Sequence, residues 1–124
     1  MISVLISSES RYQINRTSLT ESIEKFLGQA GLDNIEVSVV IGGTRKIRDL
    51  NRTYRQLDEL TDVLSFPQDG SRDPDGVLRL GDIIICYPEA IEEAVTENKM
   101  VDDKINELAE HGLRHLLGIH HPED

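Results

Sequence analysis

Two hydrophobic periods alternate along the chain, and the switches between them mark out its elements. Ile2–Ile6 is rich in β-formers with imperfect alternation and predicts a short strand. Leu19–Ala30 places Ile23, Phe26, Leu27 and Ala30 at helical spacing, and Gly31 follows as a stop. Ile35–Ile41, IEVSVVI, alternates and is β-branched, which predicts a strand, broken by Gly42 and Gly43. Thr44 is placed to cap a helix from Arg45 to about Tyr54, with Ile47, Leu50 and Tyr54 along one side. Val63–Phe66 predicts a short strand ended by Pro67, and Gln68–Gly76 a loop. Leu80–Cys86, LGDIIIC, predicts a buried strand. Pro88 suits the first turn of a following helix, whose N-terminus Glu89 and Glu92 favour. A last helix from about Val101 to Leu117 carries Val101, Ile105, Leu108, Ala109, Gly112 and Leu116 along one stripe. The order strand, helix, strand, helix, strand, strand, helix, helix predicts an α+β fold, a small mixed β-sheet of about four strands packed with helices.

Composition bounds the answer further. The 124 residues predict one domain, 1–124, and 38% hydrophobic with 29% charged residues marks it as globular. No apolar run approaches the roughly 18 residues of a membrane span. The N-terminal stretch lacks the basic and apolar regions of a signal peptide. Cys86 is the single cysteine, so no internal disulfide forms, and a cytoplasmic location is expected. A net charge of −10 argues against general nucleic-acid affinity. The charge is uneven, however. Arg45, Lys46, Arg48, Arg52 and Arg55 fall in one short stretch opposed only by Asp49. On a helix, Arg45, Arg48, Arg52 and Arg55 share the side opposite the apolar one; a solvated face is the plain account of such a stripe.

All four histidines lie in the terminal stretch HGLRHLLGIHHPED. His111 and His115 are one turn apart on the last helix, about 40° apart in projection. Gly118 is placed to end that helix in the left-handed region, and the returning chain brings His121 as a third imidazole. Three ligands at this spacing predict a metal site with a position left open, as in catalytic rather than structural zinc centres. Imidazole also accepts nickel, copper or iron. His120 falls outside the spacing and is read as a bystander. The pattern matches a zinc peptidase except at Gly112, where the peptidase carries the glutamate base. A peptidase is therefore not expected. Glu107, one turn before His111, is a candidate to orient a ligand. Asp62 and Asp82 read as turn or backbone-bonding residues, and Ser65 and Cys86 as strand residues rather than nucleophiles.

HGLRHLLGIHH resembles the H-G-x-x-H-L-x-G-x-x-H signature of the YbeY family of rRNA maturation endoribonucleases. LNRTYRQLDELTDVLSFP, residues 50–67, is similar to that family's L-N-x-x-Y-R…T-D-V-L-S-F-P segment, and LGDIIIC to its G-D-I-x-I-[SC] strand. These blocks span 50–121 in order; the N-terminal third matches in its element pattern alone. The resemblance implies a zinc-dependent, single-strand-specific endoribonuclease acting in 16S rRNA 3′-end maturation and ribosome quality control. Its partners would be single-stranded RNA and the small ribosomal subunit, with neither membrane nor DNA. His111, His115 and His121 carry over as ligands of one Zn²⁺ per chain. Arg55 carries over as the arginine facing the cleft, and Arg55 and His111 are the catalytic candidates. The sequence departs from the family pattern at His120, where aspartate is usual, and lacks the family's usual further C-terminal helix. Two other readings stay open: a non-catalytic ribosome-assembly factor with a structural metal, and a metallohydrolase acting on a substrate other than RNA.

Overall fold

The structure, a computed structural model, describes residues 1–68 and 72–118. Its elements follow in the expected order: β1 (Ile2–Ser8), α1 (Arg16–Gln29), β2 (Ile35–Gly42), α2 (Thr44–Arg55), β3 (Val63–Pro67), β4 (Leu78–Cys86), α3 (Tyr87–Glu97) and α4 (Val101–Leu116). The strands form one mixed sheet in the order β1-β2-β4-β3. β1 and β2 are parallel, as are β2 and β4; β3 runs antiparallel to β4 and occupies an edge. The parallel pairs need crossover connections, which α1 supplies between β1 and β2. Among the described residues no helix is long and apolar enough to cross a membrane.

Strand alternation divides the core into two layers. Val37, Val39, Ile83 and Ile85 face α1 and α4, where Leu19, Ile23, Leu27, Ile105, Leu108, Ala109 and Leu113 close over them. Ile84 and Cys86 point to the other face and meet Leu64 and Ile47 of α2.

Several boundaries differ from expectation for local reasons. α1 starts three residues before Leu19, because Asn15 caps it by accepting a hydrogen bond from the Ser18 N–H at 3.0 Å. Thr44 does not cap α2: Gly43 holds the cap position without a side-chain bond, and its N–H donates instead to Glu9 Oε2 at 2.8 Å. β4 starts at Leu78 rather than Leu80, since its register against β2 slips between Glu36 and Val37 and lets pairing continue. Gly81 absorbs the irregularity at φ +135°, where a Cβ would lie 2.2 Å from the Phe66 carbonyl oxygen. Only glycine lets β3 lie against β4 there.

The buried stripe of α4 contains one charge that periodicity did not expect. Lys104 is 4% exposed, and its Nζ lies 3.2 Å from Glu93, 3.0 Å from Glu97 and 3.3 Å from Glu107. Burial pulls this ammonium down, but the hydrogen bonds it donates to Glu97, Glu93 and Glu107 outweigh that and hold its pKa above the ordinary lysine value. The Lys104 and Lys99 hydrogen bonds hold Glu97 below the usual carboxylate range, and those from Lys99 and Lys104 do the same for Glu107. The cluster ties α3 to α4.

Replacing Lys104 with methionine is expected to cost about 3 kcal/mol at neutral pH, because three carboxylates lose their buried counter-charge. For a carboxylate depressed in the folded state, the stability it gives is complete above its unfolded pKa of about 4.3 and lost as pH falls through the folded value. The gap in melting temperature between wild type and Lys104→Met should therefore be widest at neutral pH and close in acid. A gap that does not change with pH would show that the carboxylates are not the cause.

Candidate active site

α4 leaves the sheet with its last turn beside β3. Its stripe packs so closely there that Gly112 is buried, and a Cβ at that position would lie 2.8–3.1 Å from three side-chain atoms of Ile83. The Ser65 hydroxyl of β3 donates to the Gly112 carbonyl at 3.3 Å. Helix, central strand and edge strand are thus joined at one residue. The missing peptidase glutamate has a structural cause: position 112 faces Ile83, and no side chain fits there.

The residues on either side of this contact emerge at the surface. His111 is exposed and His115 half-buried, with their Nε2 atoms 3.1 Å apart and their rings tilted by 55°. Two nitrogen ligands of a tetrahedral zinc ion, each about 2.0–2.1 Å from it, lie about 3.3 Å apart. The pair therefore matches one edge of such a shell. Gly118 takes φ +76°, in the left-handed region, as the terminator of the motif should. His120 and His121 lie outside the described residues.

The pair opens into a cavity of about 450 Å³. Its walls are residues 61–65 and Pro67 along β3, His111 and His115 of α4, and Arg55 at the end of α2. Arg55, distant in sequence from His111 and His115, is thereby brought to the same site.

The basic stripe of α2 does not reach the cavity as a unit. Asp49 lies 2.9 Å from Arg52 and 4.0 Å from Arg45, and Asp58 lies 3.8 Å from Arg48. Among the described residues Arg55 makes no ion pair, so its charge is available to the cavity. A surface pair of Arg55 with Asp58 does not form, because Asp58 is held by Arg48 and Arg52. The chain leaves α2 through Gln56 at φ 58°, and Asn51 holds the following loop by donating from Nδ2 to the Glu59 carbonyl at 3.0 Å. Asn51 is 2% exposed and was not singled out from sequence. The signal was there: an amide set between Ile47, Leu50 and Tyr54 on the apolar side of a helix.

Other candidates fall elsewhere. Glu107, the candidate to orient a ligand, pairs with Lys99 at 2.5 Å and Lys104 at 3.3 Å. Asp62 lines the cavity, and its carbonyl accepts from the Cys86 N–H at 2.8 Å. Asp82 pairs with Phe66 in the sheet and is not part of the cavity wall. Cys86 is buried on the far face, and burial pushes its thiol up, away from nucleophilic character.

A family model described as Endoribonuclease YbeY matches residues 5–124. The Endoribonuclease YbeY of Aquifex aeolicus is 36% identical over 118 residues, covering 95% of this chain and 77% of its own. That of Finegoldia magna is 39% identical over 129 residues, covering 100% of this chain and 83% of its own. The solution structure of TM1509 from Thermotoga maritima is similar with a TM-score of 0.61 at 27% identity, covering 100% of this chain and 77% of that one.

The close contact at Gly112 has a measurable consequence. Gly112→Ala gains helix propensity but overpacks against Ile83, and a net loss of about 1–2 kcal/mol is expected. In an Ile83→Ala background the same change should be neutral or stabilising. Additive losses in the double-mutant cycle would show that Ile83 does not set the limit.

Proposed function

The chain belongs to the endoribonuclease YbeY family, and from that premise we propose that it is a metal-dependent endoribonuclease cutting single-stranded RNA. Its place would be the cytoplasm, its task the maturation of the 16S rRNA 3′ end and ribosome quality control, and its partner the small ribosomal subunit. The observation that carries the reading is the convergence of Arg55, His111 and His115 on one cavity.

In this reading His111 and His115 hold one zinc ion through Nε2, with His121 as the third ligand. The ion, when bound, supplies Lewis-acid polarisation of a phosphate oxygen. Arg55 lines the same cavity and makes no ion pair among the described residues. Its guanidinium can bind two phosphate oxygens side by side and offset the negative charge that builds up on them during cleavage. Asn51 fixes the loop after α2 and so keeps Arg55 at the cavity mouth. RNA also carries its own nucleophile, the ribose 2′-hydroxyl. A site without the glutamate of a peptidase therefore suits this substrate.

The separation of roles can be tested on three variants. His115→Ala should lose stoichiometric zinc and, with it, cleavage of single-stranded RNA. Arg55→Ala should keep its zinc and melting temperature but cut RNA about 10²–10³-fold more slowly, the usual loss for one charge-stabilising donor. Arg55→Lys should recover only part, because an ammonium cannot bind two oxygens as a planar fork. An Arg55→Ala protein that cleaves at the wild-type rate would remove Arg55 from the reaction. Full zinc content in His115→Ala would overturn the ligand assignment.

A further inference from the structure

The cavity wall opposite the histidines is the open edge of β3, and its parity can be read from the sheet. The Cys86 N–H donates to the Asp62 carbonyl at 2.8 Å, and the Gln68 N–H donates to the Leu80 carbonyl at 3.0 Å. With Leu64 opposite Ile84 and Phe66 opposite Asp82, residues 62, 64, 66 and 68 turn their main-chain groups towards β4. Val63, Ser65 and Pro67 turn theirs the other way. β3 is an edge strand, and among the described residues no strand lies beyond it. These same three residues line the cavity. The N–H groups of Val63 and Ser65 and the carbonyls of Val63, Ser65 and Pro67 therefore lie on the open edge of the sheet, on residues that share the cavity with Arg55 and the two histidines. Pro67 contributes no N–H and ends the series.

We propose that this edge reads an unpaired nucleobase of the RNA, the Val63 carbonyl and the Ser65 N–H bonding to its Watson–Crick edge while the phosphate lies at Arg55. The assignment rests on the endoribonuclease reading above and adds how the site selects single strands. An acceptor and a donor two residues apart on one strand edge complement any base edge that offers one donor beside one acceptor. Adenine and cytosine offer an amino group beside a ring nitrogen; guanine and uracil offer a ring N–H beside a carbonyl. Either kind fits by turning over, so the edge tolerates all four bases. A base already in a duplex has this edge occupied and is refused. Charge favours RNA over a polypeptide strand as the occupant. The unshared Arg55 guanidinium faces the same space, and the open edge of β3 offers only two donors, a short ladder for a peptide.

The ligand side supplies the cleanest test. The zinc-loaded full chain is titrated with a 2′-O-methyl single-stranded RNA, which binds without being cut. The amide resonances of Val63 and Ser65 should move, while those of Leu64 and Phe66, bonded within the sheet, should stay. Placing one abasic residue at successive positions should weaken binding about tenfold at one position, the loss expected for a hydrogen-bonded pair. Ser65→Pro removes the outward N–H at an edge position that tolerates proline, and should erase that abasic difference. If Ser65→Pro does not fold, the amide shifts of the wild type decide. RNA that binds in an Arg55-dependent way but leaves both amides unmoved overturns the edge assignment and spares the endoribonuclease reading. A Ser65→Pro protein that still discriminates against the abasic residue also overturns it. RNA that neither binds nor is cut removes both. Extended peptides that move these amides when RNA does not would give the edge to a polypeptide and sink the proposal.

Discussion

The molecule turns on the contact between Gly112 and Ile83. A helix whose stripe presents hydrogen instead of a side chain can sit against the sheet at the distance of its own backbone. That approach sets the height of α4 over β4. It lets the Ser65 hydroxyl of the edge strand reach the helix backbone, and it fixes where the neighbouring residues emerge. His111 precedes the contact directly and His115 follows it by three residues. A larger residue at 112 would lift α4, move both imidazoles and open the wall they share with β3. One packing constraint thus explains the close histidine pair and the missing glutamate together.

Electrostatics then decides what the cavity faces. The chain carries a net charge of −10, and a polyanion would be repelled by most of its surface. The arginines of α2 do not change this broadly, because Asp49 and Asp58 neutralise three of them. Arg55 is left, at the helix end nearest the histidines. Within a Debye length of about 8 Å at physiological salt, a local cation outweighs distant acids. Such a surface disfavours unspecific adsorption of nucleic acid and keeps attraction at the site itself. Lys104 shows the opposite arrangement: a cation enclosed by three glutamates, spent on joining two helices rather than on a ligand.

Periodicity made the fold legible, since each of the eight elements buries a face with its own repeat. It failed where tertiary contacts decide. The start of α1 depended on Asn15, the entry to α2 on Glu9 just after β1, and the length of β4 on a register slip beside Gly81. Lys104 falls at a stripe position, but its burial required three carboxylates whose convergence no helical wheel shows. For the site, the histidine spacing and the Tyr54–Arg55 block singled out Arg55, His111 and His115, which the fold brings to one cavity. The ion pairs of Glu107 with Lys99 and Lys104 were not legible, because they depend on how the end of α3 meets α4. Asn51 escaped because an amide among apolar neighbours signals a need for a partner without naming it.

The edge of β3 marks a different limit. Side chains that meet a phosphate leave a trace in sequence, because charge and fork geometry narrow the choice of residue. Main-chain groups leave almost none, since every residue but proline brings the same donor and acceptor. What exposes those of Val63 and Ser65 is topology: β3 joins the sheet last in spatial order and has β4 on one side only. Exposed strand edges are usually blunted, because they recruit unwanted strands. Here the strand is five residues long and closes with Pro67, while α4 and the end of α2 flank its open side. Those devices leave an opening too short to template a sheet and suited to a single flat ligand. Selection of the unpaired state by such an edge would need no particular side chain, so substitutions at 63 and 65 that preserve the strand would leave it intact.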